Sequence, residues 1–228
     1  MNYRDFIQTI IYKLCDPLLR LLLRFGVTPN VVSLCGLVGN AVATWLFVEA
    51  AMQAGAGSGR AGTGPAPTSA DGYGLVLWGG IVILLAGVFD MMDGRLARLG
   101  GLSSRFGALL DSTLDRYSEL LTLSGIALLL LRAGDEWLWA GTVTFAAITG
   151  SMMVSYVRAR AEGLGIECKV GLMQRPERVV VTALAAIATG ITADLLWLAA
   201  GMTVIAVLAN VTALWRIIHC RNVTPTKE

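Results

Sequence analysis

Asp90, Asp93, Asp111 and Asp115 place four carboxylates within DMMDGRLARLGGLSSRFGALLDSTLD, residues 90–115, between long aliphatic runs. A charged side chain at a bilayer centre costs roughly 2.5–3.5 kcal/mol, so such a group must hold protons or bind cations. All-oxygen ligation suits hard divalent ions such as Mg2+, Mn2+ or Ca2+, and the absence of His and Cys from the stretch argues against zinc. Two ions held together are a recurring way to stabilise attacking and leaving oxygens in phosphoryl chemistry.

The elements that must position these carboxylates are helices. Asp90, Asp93, Gly94, Ala97 and Arg98 recur at steps of three and four along one helical stripe, and Gly107, Asp111 and Asp115 recur at steps of four along a second. A link containing Gly100-Gly101 predicts an antiparallel pair whose stripes face each other. Gly94, Ala97 and Gly107 leave room for a flat or bulky group against backbone, beside Arg98 as a phosphate partner. Ion pairing with Arg95, Arg98, Arg105 and Arg116 would account for the charge but not for the repeated carboxylate and glycine spacing.

The chain around this segment is built for lipid. Of its 228 residues 55% are hydrophobic and 15% charged, against roughly 25% charged in soluble domains. Six apolar stretches read as spans: one over 31–52, then about 73–98, 104–131, 137–161, 178–191 and 194–218. Thr28-Pro29 marks a helix start, and residues 53–72 read as a Gly/Ala/Ser/Pro linker. Before the spans, residues 3–25 carry Leu18, Leu21 and Leu22 on an apolar face with Arg4, Lys13, Arg20 and Arg24 mostly elsewhere, the profile of a helix lying in the membrane surface. Asp16-Pro17 predicts a bend or restart in it. The expected fold is therefore all-α: an integral membrane bundle of six transmembrane helices over 27–228, preceded by an amphipathic interfacial helix over 1–26.

With the N-terminus inside, all but Arg60 and Arg132 of the 18 Lys and Arg fall at the inner face. This predicts a multi-pass protein of the inner, cytoplasmic membrane, with both termini and the aspartates facing the cytoplasm. The N-terminal charges and lack of a small-residue cleavage site do not fit a removable signal peptide. Cys15, Cys35, Cys168 and Cys220 form no CxxC pair and read as unpaired. No nucleic-acid motif is present.

The pattern DxxDGxxAR, eight residues, then GxxxDxxxD is similar at every fixed position to the signature of the CDP-alcohol phosphotransferase (CDP-alcohol phosphatidyltransferase) family, and the hydrophobic pattern extends the resemblance over nearly the whole chain. The resemblance implies a homodimer and two Mg2+ or Mn2+ ions. Asp90, Asp93, Asp111 and Asp115 would ligate them, with Asp115 also the base that deprotonates the acceptor hydroxyl. It implies that Gly94, Ala97, Arg98 and Gly107 hold the CDP group of CDP-diacylglycerol, drawn from membrane lipid.

A second basic segment bears on the acceptor. SYVRARAE (155–162) and QRPER (174–178) place arginines at two adjoining helix ends, consistent either with a topological collar or with an anionic acceptor. They resemble the corresponding segments of the family's bacterial phosphatidylinositol phosphate synthases, which implies that Ser155, Arg158, Arg160 and Arg178 grip the phosphate of inositol phosphate. Arg216 is a looser match, the segment GIECKVG departs from the subfamily's glycine-rich loop, and His219 reads as a surface residue. Glycerol 3-phosphate, inositol or serine as acceptor, and an ion-binding transporter, remain the alternatives.

Overall fold

A computed structural model describes residues 16–56 and 70–224. The amphipathic pattern of the first fifteen residues and most of the linker lie outside the described residues; Asp16 and Pro17, where a bend or restart is expected, are the first described residues and are helical. Residues 16–24 are helical (α1). They are followed by α2 (Pro29–Ala56), α3 (Ala70–Leu99), α4 (Arg105–Arg132), a 3-10 turn (Asp135–Trp137), α5 (Leu138–Gly163), α6 (Arg175–Thr192) and α7 (Leu196–Val223).

The result is an all-α, multi-pass membrane-spanning bundle. Among the described residues four segments are long and apolar enough to cross a bilayer: Pro29–Ala54, Ala70–Leu99, Asp135–Gly163 and Leu196–Val223. The six-span expectation exceeds this count for a physical reason. The first half of α4 carries Arg105, Asp111, Asp115, Arg116 and Glu119, and α6 has only 18 residues with Arg175, Glu177 and Arg178 in its first turn. Both are charged at one end and apolar at the other. Tertiary contacts offset those charges.

Helix α2 packs along α3 and α4, α3 along α6, and α5 along α7. Phe47, Val76, Leu123, Ile126, Leu130, Leu198 and Met202 fill the shared core. Large apolar side chains such as Trp45, Leu85, Phe145 and Leu214 face outward, as lipid solvation allows and water does not. Small residues bring the backbones close. At Gly190 on α6, an added Cβ would stand 2.7 Å from both the Cα and the N of Leu77 on α3. Gly190→Ala is therefore expected to cost about 1–3 kcal/mol by overpacking, read as a lowered thermal midpoint in detergent. An unchanged midpoint would contradict the contact.

Helix α1 lies against the start of α2 and the end of α3. Leu19 is fully buried with Val32, Met92 and Leu96, and Leu22 and Leu23 pack beside them, while Leu18, Leu21 and Phe25 stay exposed. Arg95 binds Asp16 through two hydrogen bonds, 3.1 and 3.0 Å. That guanidinium holds the Asp16 carboxyl below the usual carboxylate range. Arg95 thus serves the α1 junction.

Candidate active site

The end of α3 closes with a Schellman-type turn. Leu102 N–H donates to Ala97 O at 2.9 Å around Gly101, whose φ of +62° suits glycine. Ser104 then caps α4 by accepting from Gly107 N–H at 2.9 Å. This short connection reverses the chain and brings the two motif stripes to the same end of the bundle. The helices do not pack along one another as expected. Each packs along α2 instead, leaving a cleft between the stripes with α2 as its third wall.

Asp93, Gly94, Ala97, Arg98, Gly107 and Asp111 line one cavity of about 190 Å³. Four of these are the residues expected to hold a nucleotide, and the two aspartates are the inner pair expected to hold metal. Asp93 on α3 and Asp111 on α4 line this cavity from its two sides. Ser33 donates to Asp93 Oδ2 at 2.6 Å, and Gly94 N–H donates to Asp93 Oδ1. Pro29, Asn30 and Ser33 of α2 complete the lining; the sequence offered only the Thr28-Pro29-Asn30 helix start as a hint of them.

Asp90 and Asp115 are joined differently. The Arg175 Nη2 donates to Asp90 Oδ2 at 2.8 Å and lies 2.9 Å from Asp115 Oδ1. One guanidinium therefore bridges a carboxylate from each motif helix. Arg175 stands in the first turn of α6, where Gln174 and Glu177 form a reciprocal capping box. Arg175 belongs to the basic segment QRPER but is not among the residues that the resemblance implies for the acceptor phosphate. Its signal is position, at the first residue of the helix that abuts α3.

The expected acceptor residues are dispersed. Arg178 is 1% exposed, and its guanidinium binds Glu119 at 2.5 and 2.8 Å and Met173 O at 3.2 Å. It faces into the bundle because it lies about one turn beyond Arg175, opposite Glu119, which itself lies one turn beyond Asp115. Arg158 pairs with Glu162 at 2.9 Å, Arg160 is exposed, and Ser155 lines a groove between α4 and α5 with Arg116 and Tyr117. Arg216 is buried and donates to Val170 O at 2.8 Å and Val154 O at 2.6 Å, tying the 164–174 loop and α5 to α7. His219 lies 3.3 Å from Glu167 O at the same loop.

The donor chemistry fits hard divalent cations: oxygen only, four carboxylates, and a cation already drawn between two of them. Among the described residues, no three Asp, Glu, His or Cys side chains close into a complete ligand set. Arg175 lies between Asp90 and Asp115, 2.8 and 2.9 Å from their carboxylates.

A multi-pass helical bundle whose two motif helices enclose a carboxylate-lined cavity defines a class. Residues 26–215 match the family described as CDP-alcohol phosphatidyltransferase, and the chain belongs to that family. Within it, the chain is 33% identical over 215 residues to phosphatidylinositol phosphate synthase of Mycobacteroides abscessus, covering 93% of this chain and 86% of the relative. It is 37% identical over 146 residues to archaetidylinositol phosphate synthase of Methanothermobacter thermautotrophicus, covering 64% and 71%. The structure of Mycobacterium tuberculosis phosphatidylinositol phosphate synthase in complex with manganese and citrate superposes with a TM-score of 0.74 at 28% identity, covering 92% of this chain and 90% of that one. The same enzyme with CDP-DAG bound gives 0.73 at 26% identity, covering 95% and 100%.

Proposed function

We propose that this protein transfers the phosphatidyl group of CDP-diacylglycerol to an inositol phosphate, releasing phosphatidylinositol phosphate and CMP. The observation that carries this reading is the cavity lined by six of the eight motif residues, with Asp90 and Asp115 bridged by Arg175 beside it, on a chain similar over nearly its whole length to phosphatidylinositol phosphate synthases.

In this reading Gly94, Ala97, Arg98 and Gly107 cradle the CDP group, because the two glycines and the alanine let it lie against backbone. Asp90, Asp93, Asp111 and Asp115 hold two divalent ions, Mg2+ or Mn2+, which when bound offset charge on the diphosphate and the leaving group. Asp115 accepts the proton of the acceptor hydroxyl. The hydroxyl oxygen forms a bond to the β-phosphorus, and the bond from that phosphorus to the CMP oxygen breaks. Ser155, Arg158 and Arg160, together with Arg175, recognise the acceptor phosphate. Arg178 supports them by fixing the first turn of α6 through Glu119.

The architecture that goes with this function has six spans, α2 to α7, over 27–228, with residues 1–26 as a juxtamembrane amphipathic helix. The charged ends of α4 and α6 then lie at the cytoplasmic boundary of the inner membrane. Sixteen basic residues on that side favour this orientation. The protein works as a homodimer within membrane lipid.

Purified protein with Mn2+ or Mg2+ and CDP-diacylglycerol is expected to release CMP fastest with inositol phosphate. Hydrogen bonds to a charged group are worth about 1.5–3 kcal/mol, so unphosphorylated inositol is expected to react about 10- to 100-fold more slowly. CMP release with glycerol 3-phosphate and not with inositol phosphate would overturn the acceptor assignment. Ion flux without CMP release would overturn the enzyme reading.

A further inference from the structure

We infer that Ser33 on α2 is a positioning residue for the transfer reaction, orienting the Asp93 carboxylate by a buried hydrogen bond while Gly36 on the same helix leaves the space that Asp90 occupies. The inference rests on the reading that Asp90 and Asp93 ligate divalent ions. It adds a third helix to a site otherwise built on α3 and α4.

Three observations lead to it. Ser33 and Asp93 are 5% and 4% exposed, and the Ser33 Oγ lies 2.6 Å from Asp93 Oδ2, nearer than its other acceptor, Pro29 O at 3.2 Å. The second Asp93 oxygen accepts from its neighbour's backbone N–H. Each oxygen thus has one donor, and a carboxylate has about four lone-pair sites, so lone pairs remain for the cleft while rotation of the group is blocked.

Gly36 lies three residues after Ser33, on the same face of α2. A Cβ there would collide with Asp90 Oδ1 and would stand 3.7 Å from Ala86 O. The colliding atom belongs to a carboxylate held on its other oxygen by Arg175, so it has little freedom to yield. Ser33 and Gly36 therefore address the two α3 aspartates separately, one by a donor and one by clearance. Because α2 packs along both motif helices, it transmits this placement to the whole cleft.

The test uses the full-length protein and measures bound against free Mn2+ by electron paramagnetic resonance, with a thermal midpoint for each variant. Ser33→Ala is expected to weaken Mn2+ binding about tenfold, as loss of a partner that orients a metal ligand does, with kcat for CMP release recovering at saturating Mn2+. Gly36→Ala is expected to weaken Mn2+ binding independently by displacing Asp90. Mn2+ affinity of Ser33→Ala indistinguishable from that of the unchanged protein would overturn the inference. So would a loss of kcat that Mn2+ does not restore together with a lowered midpoint, since that marks a purely structural role. If the unchanged protein releases CMP but binds no Mn2+, the metal reading itself fails and the role of Ser33 fails with it.

Discussion

Asp115→Asn is expected to reduce CMP release by about 10²- to 10⁴-fold at saturating substrates, the range contributed by a positioned general base. Asparagine keeps the shape of aspartate but offers no anionic oxygen to receive the acceptor proton. Folding should survive the change. Arg175 retains Asp90 as its partner at 2.8 Å, and removing one of four clustered carboxylates relieves repulsion among the rest. The informative comparison is therefore CMP release against the thermal midpoint of the same preparation. A variant that remains folded and keeps activity within an order of magnitude would remove Asp115 from the role of base. Loss of CMP release in a folded protein, with no ion flux in either form, would also dispose of the transporter alternative.

The second large effect concerns stability. Glu119→Ala is expected to destabilise the protein by about 3–5 kcal/mol, the usual result of removing one partner from a buried ion pair. Arg178, 1% exposed, would keep only its bond to Met173 O. Replacing both partners with apolar residues of similar volume, Glu119→Leu with Arg178→Met, is expected to recover much of that loss, because no uncompensated charge is left behind. Equilibrium unfolding in detergent checks both changes. If Glu119→Ala lies within about 1 kcal/mol of the unchanged protein, the pair behaves as a solvated one. The single variant should also impair CMP release, since Arg178 and Arg175 share the first turn of α6 and the second of them bridges Asp90 to Asp115.

Much of the architecture was legible because lipid imposes simple rules. Six apolar stretches predict the helices to within a few residues, and Thr28-Pro29 correctly marks the start of α2 at Pro29. The same rules overestimated how cleanly α4 and α6 meet the requirement for a span. Their charges belong to the site, and hydropathy alone cannot separate a charged membrane boundary from a charged cleft. Arginine roles were harder to assign. Arg95, Arg158, Arg175, Arg178 and Arg216 all read as inner-face cations, yet one joins α1, one forms an exposed pair on α5, one bridges two aspartates, one is buried with Glu119 and one binds backbone carbonyls. A long flexible side chain reaches partners that spacing does not reveal.

The sequence by itself determined the all-α class, the two stripes on α3 and α4, and the family, because helical periodicity is local and the motif residues lie within 26 positions of one another. Only the tertiary structure decided that α2 forms the third wall, that Ser33 and Gly36 touch Asp93 and Asp90, and that Arg175 rather than Arg178 reaches the carboxylates. Those contacts join residues 54 to 85 positions apart in the chain. They follow from how three helices are rotated and packed, which no local pattern encodes.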